Sequence, residues 1–294
     1  MAANTRDIRR RIKSVKNTAQ ITKAMQMVAA SKMRRAQQQA LAARPYANLL
    51  NKVLVSVEDR VDHALHPLLE VRDVKKELVI LISTDKGLCG GLNTNLFREV
   101  AGLDQEKTEF VASGRKGVQF LARSGRNLLA DFQLADSPTF LDSKAMSKFA
   151  MEKFLSGEVD RVRVAYTHFV NTLTLVASVR TVLPISPFDL PGADKNVTEA
   201  TAPATEEIAG GYLFEPSAHD VLDAILPYYV HFQIYQMVLD SRASEHSARM
   251  VAMKSATDNA KQLVKDLTLE YNKVRQASIT TEILEIASAA AAME

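Results

Sequence analysis

The chain has 294 residues, 47% of them hydrophobic and 24% charged, with a formal net charge of +3. That balance supplies a substantial core for one large domain or two smaller ones and excludes an intrinsically disordered chain, while so mild a charge does not by itself imply a nucleic-acid or membrane-surface partner. The single cysteine, Cys89, excludes an internal disulfide framework and a cysteine-based metal cluster and fits a reducing compartment, and no apolar run reaches the length of a membrane-spanning helix.

The start, "MAANTRDIRRRIKSVKN", is arginine-rich and poor in acids, as transit peptides are. Its pattern continues without a cleavage-like break into a long helix, so it is read as part of the mature protein. From Ile8 apolar or small residues recur in steps of four and three: Ile8, Ile12, Val15, Ala19, then Ala29, Met33, Ala36, Ala40, Ala43, Ala47, Leu50, Leu54 and Val57. This is a heptad seam, with Thr22 and Gln26 holding the register as polar interruptions. Pro45 lies inside the pattern and predicts a kink near Arg44 or an interruption there. Residues up to 35 also carry Arg6, Arg9, Arg10, Arg11, Lys13, Lys16, Lys23, Lys32, Arg34 and Arg35 against Asp7 alone. Such a stripe suits phosphates or acidic protein loops, but the stretch has no aromatic residue to stack on bases.

The middle, from about residue 76 to 190, alternates strand-like and helix-like segments: "ELVILIS", "NTNLFREVAG", "TEFVASG", "RKGVQFLARSG", "SKAMSKFAMEKFLSG", "RVRVAYTHFV" and "LTLVASVRTVLPI". The pattern predicts an α/β, Rossmann-like domain with a mostly parallel sheet, its last two runs forming an antiparallel hairpin on the edge. Residues 191–211, rich in Ala, Thr, Glu and Pro, read as an exposed loop.

A second seam follows: Ile225, Tyr229, Phe232, Leu239, Ala243, Met250, Met253, Ala260, Val264, Leu267, Tyr271 and Val274, with Gln236, His246 and Thr257 as polar interruptions. The expected organisation is an N-terminal coiled-coil helix over residues 1–58, an α/β domain over 59–215 and a C-terminal coiled-coil helix over 216–294. At about 1.5 Å per residue the two helices span about 80 and 110 Å, so an antiparallel pair leaves the end of the second unpartnered by about 20 residues. That end, "ASITTEILEIASAAAAME", is apolar or small around most of its circumference and calls for another protein around it.

The chemistry-bearing candidates are few. "STDKGLCGGLN", residues 83–93, is a strand–turn–helix layout of the kind that can cradle a phosphate. Its glycines, Gly87, Gly90 and Gly91, match neither G-x-G-x-x-G nor G-x-x-x-x-G-K-[ST], so they read as a structural turn that also lets the next helix pack close to the strand. Asp85 reads as a cap on the turn's own N–H groups. His63 and His66, with Asp62 and Glu70 nearby, read as a solvated helix terminus or a metal site. No catalytic, cofactor or metal constellation is expected.

Taken together, "DIRRRIKSVKNTAQITKAMQMVAASKMRRAQ", "RPYANLL", "STDKGLCGGLN", "GYLFEPS", "SARMVAMKSATDNA" and "YNKVRQASITTEILEIASAAAA" resemble the gamma subunits of F-type ATP synthases. The resemblance implies a non-catalytic central-stalk rotor. Its terminal helices would form an antiparallel coiled coil inside a hexamer of alpha and beta subunits, and it would hold the epsilon subunit and rest on the c-ring of the membrane sector. By the same resemblance Met25, Glu245, Arg249, Arg275, Gln276, Thr280 and Glu282 are coupling contacts to the beta subunits. Tyr212, Phe214 and Glu215 are the foot on the c-ring, and Ile279, Ile283 and Ile286 lie on an apolar bearing helix. The implied location is the cytoplasmic face of the bacterial inner membrane, held there peripherally through the complex. Two departures stand out: Ala289 replaces a frequent glycine, and the thiol-switch insertion of chloroplast relatives is absent. A basic coiled-coil nucleic-acid-binding protein and a nucleotide-dependent α/β enzyme remain the alternatives.

Overall fold

A computed structural model describes residues 5–58, 66–185 and 217–291. The chain divides into two compact units, one made of Met1–Ala30 with Arg249–Glu294 and the other of Ser31–Ala248.

Both long helices are present. Helix α1 spans Thr5–Glu58 and α5 spans Ala218–Ala291. Neither contains glycine, and each contains one proline. Helix α1 runs on through Pro45 instead of stopping there, so the helix accommodates the hydrogen bond that Pro45 cannot donate to the carbonyl of Leu41. Ser217 opens α5: its hydroxyl accepts the Asp220 N–H at 3.1 Å and donates to the Asp220 carboxylate at 2.6 Å, relieving one of the orphan donors of the first turn.

In the unit formed by the outer halves of these helices, both seams are buried or half-buried at every described position from Ile8 to Ala29 and from Met250 to Val274. The pairing is antiparallel. Arg9 donates to the Tyr271 hydroxyl, and further along α1 the Thr22 hydroxyl meets Thr257, which lies further back along α5.

The other unit holds a five-stranded sheet in the order β3-β2-β1-β4-β5, formed by β1 (Glu77–Ile82), β2 (Thr108–Ser113), β3 (Leu128–Phe132), β4 (Arg161–Phe169) and β5 (Leu175–Leu183). The first four strands are mutually parallel and β5 runs antiparallel on the edge of β4. Strand β3 is an addition to the expected elements; its residues alternate between half-buried and exposed, as on the edge of a sheet. Crossovers are made by α2 (Leu92–Ala101), α3 (Arg115–Arg123) and α4 (Phe140–Leu155). Helix α4 starts three residues earlier than its apolar run suggests, because Thr139 and Asp142 form a reciprocal capping box.

Strand β1 explains why "ELVILI" is continuously apolar: Leu78, Ile80 and Ile82 face one core, Val79 and Leu81 the other. The second core holds Leu96, Val100 and Leu121 from α2 and α3. The first core holds Met146, Ala150 and Phe154 from α4 together with Leu222, Leu226, Tyr229, Val230, Ile234 and Met237 from α5. Residues 229–247 of α5 are consequently buried on every face except at Tyr235 and Asp240, which are half-buried.

Candidate functional site

The 83–93 turn satisfies its own polar groups. The buried Ser83 hydroxyl donates toward the carbonyls of Ser113 and Gly114 and accepts the Gly117 N–H at 2.7 Å. The Asn93 amide donates to Thr84 Oγ1 at 2.7 Å. Of the three turn glycines only Gly90 needs a left-handed backbone, at φ 59°, a conformation Leu88 shares at φ 64°. The close-packing expectation for Gly87, Gly90 and Gly91 is corrected: a Cβ at Gly87 or Gly90 would meet nothing within 4 Å, and at Gly91 only the Asn95 amide at 3.9 Å. The glycine that close approach requires is Gly114, where a Cβ would lie 2.3 Å from the Ser83 carbonyl oxygen. Asp85 reaches beyond the turn. It accepts the Arg115 N–H at 3.1 Å and so serves the first turn of α3.

Open α/β sheets bind ligands beyond the carboxyl ends of their strands, where the strand order reverses. Here that position lies between β1 and β4, and α5 fills it. Arg242 donates to the Leu134 carbonyl beyond β3 at 2.9 Å, while its guanidinium lies 3.8 Å from the Asp85 carboxylate beyond β1. Ser244 donates to the Thr167 carbonyl of β4 at 3.0 Å, Ser247 to the Thr172 carbonyl at 2.9 Å, and Asp240 pairs with His168 at 2.6 Å. The fold therefore spends its usual ligand crevice on holding a helix. A separate groove of 560 Å³ lies between the end of α2 and β5, lined by Glu99, Leu103, Arg163 and Arg180 among others.

His66 is not a solvated helix terminus. Its Nδ1 accepts the Leu68 N–H and its Nε2 lies 3.4 Å from the Asp223 carboxylate of α5. His63 and Asp62 lie outside the described residues, and no cluster of three metal-ligating side chains occurs among the described ones.

The expected contact residues fall into four groups. Met25 is half-buried beside the α1 seam, and Arg249 is half-buried on α5. Glu245 is only 4% exposed and accepts from Arg242 at 3.0 Å, so its carboxylate is engaged within the chain. Arg275, Gln276, Thr280 and Glu282 are exposed, as are Ile279, Ile283 and Ile286, the last at 71%. Tyr212, Phe214, Glu215 and the 191–211 loop lie outside the described residues. Arg242 carries no signal of its own in the sequence, because it stands in the polar stretch "DSRASEHSAR", where nothing sets it apart from its charged neighbours.

The model for the family described as ATP synthase matches residues 4–293. The ATP synthase gamma chain of Methylacidiphilum infernorum is 51% identical over 296 residues, covering 99% of each chain. The chain belongs to the ATP synthase gamma chain family. The gamma chain of Opitutus terrae is also 51% identical, with 98% of each chain covered. Membership makes the chain a non-catalytic subunit of an ATP synthase. Among solved structures, a chain of the Euglena gracilis mitochondrial ATP synthase, in a structure of its OSCP, F1 and c-ring, superimposes with a TM-score of 0.66 at 20% identity, covering 98% of this chain and 94% of that one. A chain of the Tetrahymena thermophila central stalk and c-ring gives 0.58 at 23% identity over 80% of this chain and 99% of that one. These two likenesses show that the fold is shared. Nothing in the comparisons supports a nucleic-acid-binding coiled coil or a nucleotide-dependent enzyme.

Proposed function

We propose that this gamma chain is the central-stalk rotor of a bacterial ATP synthase, coupling ion-driven rotation of a c-ring to ATP synthesis or hydrolysis on the beta subunits. The observation that carries the reading is the end of α5. Past Val274 every described side chain through Ala289 is exposed, and Ile279, Ile283, Leu284 and Ile286 form an apolar surface that none of the described residues covers. A helix of that character is stable in water only inside a sleeve of other protein. The alpha and beta subunits supply that sleeve, and the polar flank of Arg275, Gln276, Thr280 and Glu282 meets a loop on beta.

The exposed cations Arg10, Arg11, Lys23 and Arg34 face acidic loops of beta, giving electrostatic guidance to a shaft whose uneven faces shift beta conformers by differential contact energy. Tyr212, Phe214 and Glu215 form the foot on the c-ring, with the epsilon subunit docked on the α/β body. No helix among the described residues is long and apolar enough to cross a membrane. The chain works at the cytoplasmic face of the inner membrane, held there through its complex.

The test is co-purification of the tagged chain from its own cells. Alpha, beta and epsilon subunits should accompany it in an assembly that hydrolyses ATP and pumps ions in vesicles. A chain that purifies without alpha and beta would sink the reading.

A further inference from the structure

We propose that Arg242 is a positioning residue for rotary coupling, fixing the register of α5 on the sheet and the placement of Glu245. The inference rests on the rotor reading above and deepens it.

Arg242 is a buried cation, 4% exposed, whose planar fork reaches in separate directions. One arm donates to Glu245 Oε2 at 3.0 Å, the other to the Leu134 carbonyl at 2.9 Å, and the second also lies 3.8 Å from the Asp85 carboxylate. Asp85 is itself fixed on the Arg115 N–H. One shell further out, Asp136 takes Lys32 of α1 at 2.5 Å and feels the charges of Arg242 and His246. Four segments are thus tied at one level: α1, the turn after β1, the loop after β3, and α5.

Apolar packing alone holds a helix weakly against rotation or a one-turn slip, because one methyl group replaces another at little cost. A buried forked cation behaves differently, since any slip strands a desolvated charge. The charged groups around Arg242 are Glu245 on its own helix, Asp85 from the turn and Asp136 from the loop before α4; Asp136 in turn is paired with Lys32 of α1 and lies within reach of His246, and Asp240, which pairs with His168, sits beside Arg242 on α5.

The test uses the assembled ATP synthase in vesicles and measures ions pumped per ATP hydrolysed, always relative to wild type at the same pH. Arg242→Met should assemble, hydrolyse ATP and pump with a ratio reduced roughly threefold or more. Its ATP hydrolysis rate and its alpha and beta stoichiometry should stay at wild type, so that the loss is one of coupling alone. A wild-type ratio, or a lowered ratio that comes with an equal loss of hydrolysis and of assembled alpha and beta subunits, would make Arg242 a packing residue and overturn the proposal. Should Arg242→Met not assemble, Arg242→Lys decides: it keeps the charge and loses the fork, so an intermediate deficit supports the proposal and a wild-type ratio overturns it. Failure of the wild-type chain to bring down alpha and beta subunits would strike the rotor reading instead.

Discussion

The hydroxyls of Thr22 on α1 and Thr257 on α5 meet at 2.7 Å inside the helix pair, each replacing an apolar residue at its own seam position. Each hydroxyl also reaches back to its own helix, Thr257 to the Met253 carbonyl at 2.8 Å and Thr22 to the Ala19 carbonyl at 3.2 Å, so either one can supply the proton they share. A polar pair at seam positions costs stability and fixes register, because sliding the helices by one heptad would bury each hydroxyl against carbon. Thr257→Val should therefore cost about 1 kcal/mol by setting a methyl group against the Thr22 hydroxyl, whereas the double change Thr22→Val with Thr257→Val should return close to wild type. Urea unfolding of the four chains in a double-mutant cycle checks this, and additive single effects would remove the pair's standing as a register device.

The glycines make a graded prediction. Gly114→Ala combines φ 101° with a 2.3 Å approach to a backbone oxygen and should destabilise by about 3 kcal/mol or more. Gly90→Ala has open space and only the left-handed backbone against it, so about 1 kcal/mol is expected. Gly87→Ala should lie within about 0.5 kcal/mol of wild type. Denaturation midpoints in the reverse order would show that the 83–93 turn, and not the β2–α3 junction, is the tight place in the fold.

What was legible in the sequence follows from which contacts are periodic. Both seams could be read because a buried stripe repeats along the helix, and β1 because both its faces are covered. Strand β3, "LLADF", escaped because an edge strand of five half-exposed residues leaves almost no pattern. The burial of Glu245 escaped for a different reason. The seam accounts for one face of α5, while the covering of its other faces by the sheet comes from Asp85, Leu134 and Thr167, residues far away in the chain. Such long-range polar contacts have no sequence period to betray them.

Acid should loosen the α/β body through His231. Its ring is buried against Phe140 and shares a 2.5 Å hydrogen bond with Ser147, and burial, helped by the nearby Lys144 charge, holds its pKa below the ordinary histidine value. Since the folded pKa is the lower one, the unfolded chain binds the proton first. Stability is therefore full above about pH 6.5 and declines as the pH falls through that value toward the folded pKa. Thermal unfolding at about pH 7.5 and 5.5 should show this loss, and His231→Gln should reduce it; an equal loss in the variant would place the acid sensitivity elsewhere, for instance at Asp136, whose pKa is lowered by its bond to Lys32.

The exposed end of α5 separates stability from assembly. Ile279, Ile283 and Ile286 are 46%, 59% and 71% exposed, so replacing all three with serine removes little buried surface from the chain itself. Unfolding of the body and of the paired helices should stay within about 0.5 kcal/mol of wild type, apart from a small loss of helix at the terminus from the poorer propensity of serine. In the complex the same side chains lose their apolar surroundings, and the triple variant should give a lower yield of assembled alpha and beta subunits or a rotor that slips under load. Both quantities are measurable in one preparation, by subunit stoichiometry and by ATP-driven ion pumping. Unchanged values for both would mean that no apolar sleeve surrounds this helix, and the bare end of α5 would then need a different partner.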